Sequence, residues 1–265
     1  MRSPMPFAEV RGQRLYFEDT GGSGSPVLLM HGFLMDASMF APQVEALRSS
    51  HRVITFDSRA FGRTEWDRKP FTYWDNAADA LALLDHLGID RAVIGGMSQG
   101  GFASLRAALL APERVKGLVL IATQAGVDTP EVLAGYRQMM ETWLTMGPID
   151  PLVTAIAGLI LGPEKYWEPW VSNWRKSEPS LFREPTLCLI EREDITSRIG
   201  EIKAPAIIFH GTADQAIGMS RAEILQKGLE GCRALVRVEG AHHAANLTHP
   251  DQVNPPLVDF LRAIA

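Results

Sequence analysis

Short apolar runs alternate with segments of helical period along much of this chain. "PVLLMHG" (26–32), "HRVITFD" (51–57), "RAVIGG" (91–96), "VKGLVLIAT" (115–123), "PAIIFHG" (205–211) and "RALVRV" (233–238) read as strands. Between several of them lie helical stretches, at 37–50, 71–89 and 99–110. In the second, Leu81, Leu84 and Leu87 fall on one helical face and Gly88 is placed to end it. Such alternation limits the chain to an α/β fold, a mostly parallel sheet flanked by crossover helices. A hairpin from Ala8 to Asp19 precedes the pattern, and a last helix is expected from about Asp251 to Ile264.

The alternation breaks between Gln124 and about Arg198, where no strand is legible and Pro148, Pro151, Pro163, Pro169, Pro179 and Pro185 separate helical stretches. Four of the six tryptophans lie there, Trp143, Trp167, Trp170 and Trp174, with Tyr136, Met139 and Met140. The expected organisation is therefore a core domain from 1–124 and 199–265, interrupted by a helical lid (cap) at 125–198. With 265 residues, 46% of them hydrophobic, the chain is long enough for one well-filled core. A net charge of -5 without a Lys/Arg cluster argues against a nucleic-acid partner. No run of about 18 apolar residues occurs, and "MRSPMPFAEV" lacks an apolar leader core, so a soluble, cytoplasmic protein is expected. Cys188 and Cys232 are too few and too scattered for a disulfide framework or a zinc site.

Chemistry concentrates where a strand meets a helix. Gly96-Met97-Ser98-Gln99-Gly100 matches G-x-S-x-G directly between the strand 91–96 and the helix beginning at Gln99. A turn that sharp strains the serine backbone, and flanking glycines remove the Cβ atoms that would collide. The free N–H groups at the start of the helix favour negative charge at the same spot. A phosphate loop is a poorer reading, since neither G-x-x-x-x-G-K-[ST] nor G-x-G-x-x-G follows the strand.

A serine hydroxyl needs a base, and the base needs an acid to orient it. Asp214 in "HGTAD" and His243 in "GAHHAANLTHP" each follow the end of a strand, in the chain order Ser98, Asp214, His243. That order fits a serine hydrolase built on a parallel sheet. Asp128, after the strand 115–123, is expected first as a surface residue. His242, His243 and His249 lack metal-ligand spacing, so neither metal nor other cofactor is expected.

With "HGF" at 31–33, "DSRAFGRT" at 57–64, "GMSQGG", "GTAD" and "HHAANLTHP" in place, the chain resembles the α/β-hydrolase superfamily over nearly its whole length. The resemblance implies an α/β-hydrolase fold with an oxyanion hole formed by the backbone N–H groups of Phe33 and Gln99. It also implies His243 as the base, since His243-Ala244-Ala245-Asn246-Leu247 matches the family register, with His242 where a small residue is usual. Ala60 replaces a glycine of the D-x-R-G-x-G loop, and Gly218 stands where many relatives carry proline.

The reading that follows is a serine carboxylesterase acting on a small to medium ester, with Met97, Tyr136, Trp143, Trp167 and Trp170 expected around an apolar pocket. The elbow and "APERVKGLVL" are also similar to 3-oxoadipate enol-lactonases, which makes a lactonase the alternative. A lactonase for a polar acid would need a pocket arginine, with Arg137, Arg175, Arg183 and Arg192 the candidates. A small-ligand receptor that keeps the triad is a third reading. Dehalogenases and epoxide hydrolases of this fold are disfavoured, because they use aspartate where Ser98 stands.

Overall fold

A computed structural model describes residues 6–265; the sequence reading of residues 1–5 lies outside them. The chain opens on an antiparallel hairpin, β1 (Phe7–Val10) and β2 (Gln13–Asp19), then enters β3 (Ser25–Met30). A tight helical turn (Ala37–Phe40) and α1 (Ala41–Leu47) lead to β4 (His51–Phe56). There follow α2 (Tyr73–His86), β5 (Ala92–Met97), α3 (Gln99–Leu110) and β6 (Val115–Ile121). Helix α2 starts at a capping box between Thr72 and Asp75 and stops before Gly88, whose φ of 66° suits glycine.

Between β6 and β7 the described chain is helical: α4 (Pro130–Met146), α5 (Asp150–Leu161), α6 (Trp170–Lys176) and α7 (Arg183–Ile190). Pro130 and Pro151 occupy the first turns of α4 and α5, where a missing N–H costs nothing, and Gly147 and Gly162 end them at positive φ. The sheet resumes with β7 (Ala206–Gly211), α8 (Met219–Gly228), β8 (Cys232–Val238), the short α9 (Ala245–Thr248) and α10 (Pro250–Ala263).

The eight strands run in the order β1-β2-β4-β3-β5-β6-β7-β8, parallel from β4 to β8. Side chains alternate between two cores. Val27 and Leu29 of β3 pack on the α1 and α10 side, with the helices that follow β6; Leu28 and Met30 pack on the α2, α3 and α8 side. Parallel pairing sets Met30 beside Gly96, Met97 beside Ile121, Ile121 beside Phe209, and Gly211 beside Val238. All the loops after β3, β5, β6, β7 and β8 therefore leave from one edge. The chain order reverses between β3 and β5, and a crevice opens at such a switch point, beyond the strands' carboxyl ends.

Candidate active site

Ser98 is the residue between β5 and α3, with φ 52° and ψ -114°. No L-residue takes that conformation freely, so the surroundings must hold it. The Ser98 N–H donates to the Ile121 carbonyl at 2.9 Å, and its own carbonyl accepts from Gly101 N, Phe102 N and Thr123 Oγ1. The flanking glycines are required by space: a Cβ on Gly96 or Gly100 would run into the Met30 carbonyl of the adjacent strand. Ser98 is thereby pinned at the crevice with its hydroxyl unpartnered among the described residues.

The loop after β7 supplies Asp214. Its Oδ1 accepts from the N–H groups of Ala216 (2.9 Å) and Ile217 (3.0 Å), and its Oδ2 accepts from His243 Nδ1 at 2.8 Å. A carboxylate only accepts, so Nδ1 carries a proton, and in the neutral ring Nε2 is then the acceptor. Burial works against the Asp214 charge, but the neighbouring His243 and the Ile217 N–H outweigh it and hold the carboxyl below its ordinary value. Beneath it, burial keeps His210 below the usual imidazole range against the pull of Asp214, and its Nε2–H donates to the Ile217 carbonyl at 2.7 Å.

His243 and Ser98 line one pocket of about 60 Å³, with Met97, Tyr136, Gln124 and Asp128 among its walls. His242 faces elsewhere: its ring packs against Gly162 at the end of α5, with Nδ1 buried and unpartnered among the described residues. The backbone N–H groups of Phe33 and Gln99 have no acceptor among the described residues; Gln99 opens a helix, whose first N–H groups lack intrahelical partners.

Of the aromatic and methionine residues expected around the pocket, Met97 and Tyr136 line it, and three tryptophans do not. Trp143 is fully buried and stacks on Phe182 with ring centres 4.3 Å apart. Trp167 donates Nε1–H to the Gly162 carbonyl at 2.8 Å, tying its turn to the end of α5. Trp170 faces a separate groove of about 510 Å³, which shares Leu34 with the serine pocket. Large aromatic area served packing here, in three different places.

The expectation of Asp128 as a surface residue is corrected as well. It lines the serine pocket, and its Oδ2 accepts from Arg192 Nη2 at 2.8 Å with Arg192 itself buried. Neither Asp128 nor its neighbour Gln124 carries a motif that would have marked it as a pocket residue. In the "DSRAFGRT" loop Ala60, at the position of the usual glycine, adopts φ 71°, and Gly62 takes φ 56° against the Asp57 carboxylate. Asp57 organises this loop by accepting from Ala37 N and Arg63 N, both at 2.8 Å; Arg59 turns away to pair with Asp79 of α2.

The sequence profile of the family described as alpha/beta hydrolase fold matches residues 25–250. The chain is 28% identical to a putative carbamate hydrolase RutD of Azorhizobium caulinodans, across 97% of this chain and 98% of that protein. It is similar in structure to a thermophilic esterase from Thermogutta terrifontis (TM-score 0.88, 27% identity, 100% of this chain and 99% of that one). An enol-lactonase from Burkholderia xenovorans is similar too (TM-score 0.86, 27% identity, 97% of this chain and 100% of that one). With the profile spanning most of its length, the chain belongs to the alpha/beta hydrolase fold family.

Proposed function

We propose that this protein is a serine hydrolase that cleaves a small to medium carboxylic ester through an acyl-enzyme. The observation that carries the reading is that His243, which shares a pocket with a serine held at a strained turn, donates a 2.8 Å hydrogen bond to the buried carboxylate of Asp214. Ser98 Oγ attacks the ester carbonyl while His243 Nε2 takes its proton. Asp214 keeps the imidazole in the required tautomer and stabilises its charged form. The oxyanion is received by the N–H groups of Phe33 and Gln99, each such donor being worth about 3 kcal/mol in comparable sites. His243 returns the proton to the leaving alcohol, then activates water to free the acyl group and restore Ser98.

The helices between β6 and β7 act as a cap over this site, contributing Tyr136, Met139 and Ile156 to the pocket wall. A lactone is an ester closed on itself and would pass through the same steps, a second reading supported by the likeness to an enol-lactonase. Hydrolysis of p-nitrophenyl butanoate by His242→Ala and His243→Ala tests the assignment. His243→Ala should lose at least about a thousandfold in kcat, and His242→Ala should keep most of its activity. The reverse pattern would move the base by one residue and overturn this site. Binding of esters without turnover would favour a receptor.

A further inference from the structure

The serine pocket has a polar corner beyond its reacting groups, at the end of β6. Gln124 is 2% exposed, and its Nε2 donates to Asp128 Oδ1 at 2.8 Å. Asp128 Oδ2 is taken by Arg192, which donates two further N–H groups to the carbonyls of Leu189 (2.7 Å) and Gly126 (3.3 Å) and lies over the Phe102 ring. A carboxylate cannot donate, so the amide nitrogen of Gln124 must face Asp128. The amide is thereby locked with Oε1 on its other side. That oxygen is buried and has no hydrogen-bond partner among the described residues, although Gln124 lines the pocket.

The same corner decides the charge of what can bind. Arg192 is neutralised by Asp128 and does not line the pocket. Arg137 is exposed, Arg175 pairs with Asp150 and Arg183 with Glu184. Among the described residues no Lys or Arg lines the pocket, so a substrate carboxylate would find no arginine or lysine to pair with there. Tyr136, its hydroxyl pushed up to about 12 by burial and by Asp128, stays neutral.

We infer that Gln124 determines specificity: its Oε1 accepts a hydrogen bond from a hydroxyl or amide N–H on a neutral substrate. The preferred substrates are neutral esters carrying one such donor. This rests on the serine-hydrolase reading of the pocket and adds the substrate's polarity to it. Asp128 and Arg192 act through Gln124 as positioning residues.

Three matched pairs of esters test it. In the first, p-nitrophenyl 3-hydroxybutanoate is compared with 3-methylbutanoate, which replaces the hydroxyl by a methyl group. In the second, p-nitrophenyl 3-acetamidopropanoate is compared with 5-oxohexanoate, which replaces N–H by CH₂. The third places the donor in the alcohol, as 2-hydroxyethyl against propyl butanoate. In at least one pair kcat/KM should favour the donor by about tenfold, the scale of one buried hydrogen bond. In Gln124→Met that ratio should collapse towards one, with a thermal melt to verify folding. A preference that survives in a folded Gln124→Met overturns the proposal. Where the hydroxybutanoate pair carries the preference, wild-type enzyme that treats p-nitrophenyl 3-methoxybutanoate like the hydroxy ester overturns it too, since the ether cannot donate. Calorimetric binding of the same pairs to Ser98→Ala reads the pocket without turnover, and absence of a donor preference there and in kcat/KM overturns the inference. Equal hydrolysis by wild type and Ser98→Ala sinks the serine-hydrolase reading instead, and the binding comparison still decides this one.

Discussion

Ser98 and Ala60 are both non-glycine residues at positive φ, 52° and 71°, but their strain has different uses. At Ser98 the strained turn presents the hydroxyl at the crevice, so the cost belongs to the proposed chemistry. Ala60 lies in the loop organised by Asp57, lines the outer groove and touches the edge of the cluster around Phe71 and Phe102, and its left-handed conformation is one that glycine adopts without penalty. Ala60→Gly should therefore stabilise the protein by about 0.5–1 kcal/mol, the relief of strain exceeding the entropy that glycine adds to the unfolded chain. Chemical denaturation checks this, and a loss of stability would show that the Ala60 methyl makes packing contacts worth more than the strain. The glycines around Ser98 were legible in the sequence because close backbone approach leaves a compositional mark. Gln124 left none, since an orphaned carbonyl oxygen exists only once the Asp128–Arg192 pair has folded against it.

Strands and their following loops were the most legible elements. Continuous apolar runs have one stable use in a chain of this kind, and the residues just past them must share one sheet edge once the strands are parallel. Helix α8 was missed: it buries only Ala222 and Leu225, too narrow an apolar face to stand out in "MSRAEILQKG". Pocket tryptophans were misplaced because helical period says which residues are buried and not what they are buried against. Joining the loop after β6 to the end of α7 is the pair Asp128–Arg192, with side-chain exposures of 11% and 1%. Arg192→Met should cost about 3–5 kcal/mol, because it strands a carboxylate that is largely out of water. Arg192→Met combined with Asp128→Leu should recover part of that loss. Urea unfolding of the single and double variants measures it, and a double variant worse than the single would mean that Asp128 is stabilised by its other contacts.

For the whole molecule, buried histidines set the acid limit of stability. Burial depresses His31 against the opposing charge of Asp57, and His210 is depressed in the same way beside Asp214. In the unfolded chain these imidazoles bind protons below about pH 6.5, whereas the folded protein resists them. Their contribution is complete above that pH and is lost as pH falls towards the folded values. Asp214, whose carboxyl is held low, adds a contribution present above its unfolded value of about 3.9 and lost below it. Unfolding free energies measured at pH 7, 6 and 5 should decline in that order, and a flat profile would contradict the neutral burial of both histidines.

The central claim is that Ser98 is the nucleophile of this site, and covalent labelling tests it most directly. Wild-type protein treated with a p-nitrophenyl alkylphosphonate, digested and weighed by mass spectrometry, should carry one phosphonyl group, on the peptide containing Ser98. Ser98→Ala should remain unlabelled. A phosphonyl group on any other residue, or equal labelling of the two proteins, would contradict the account.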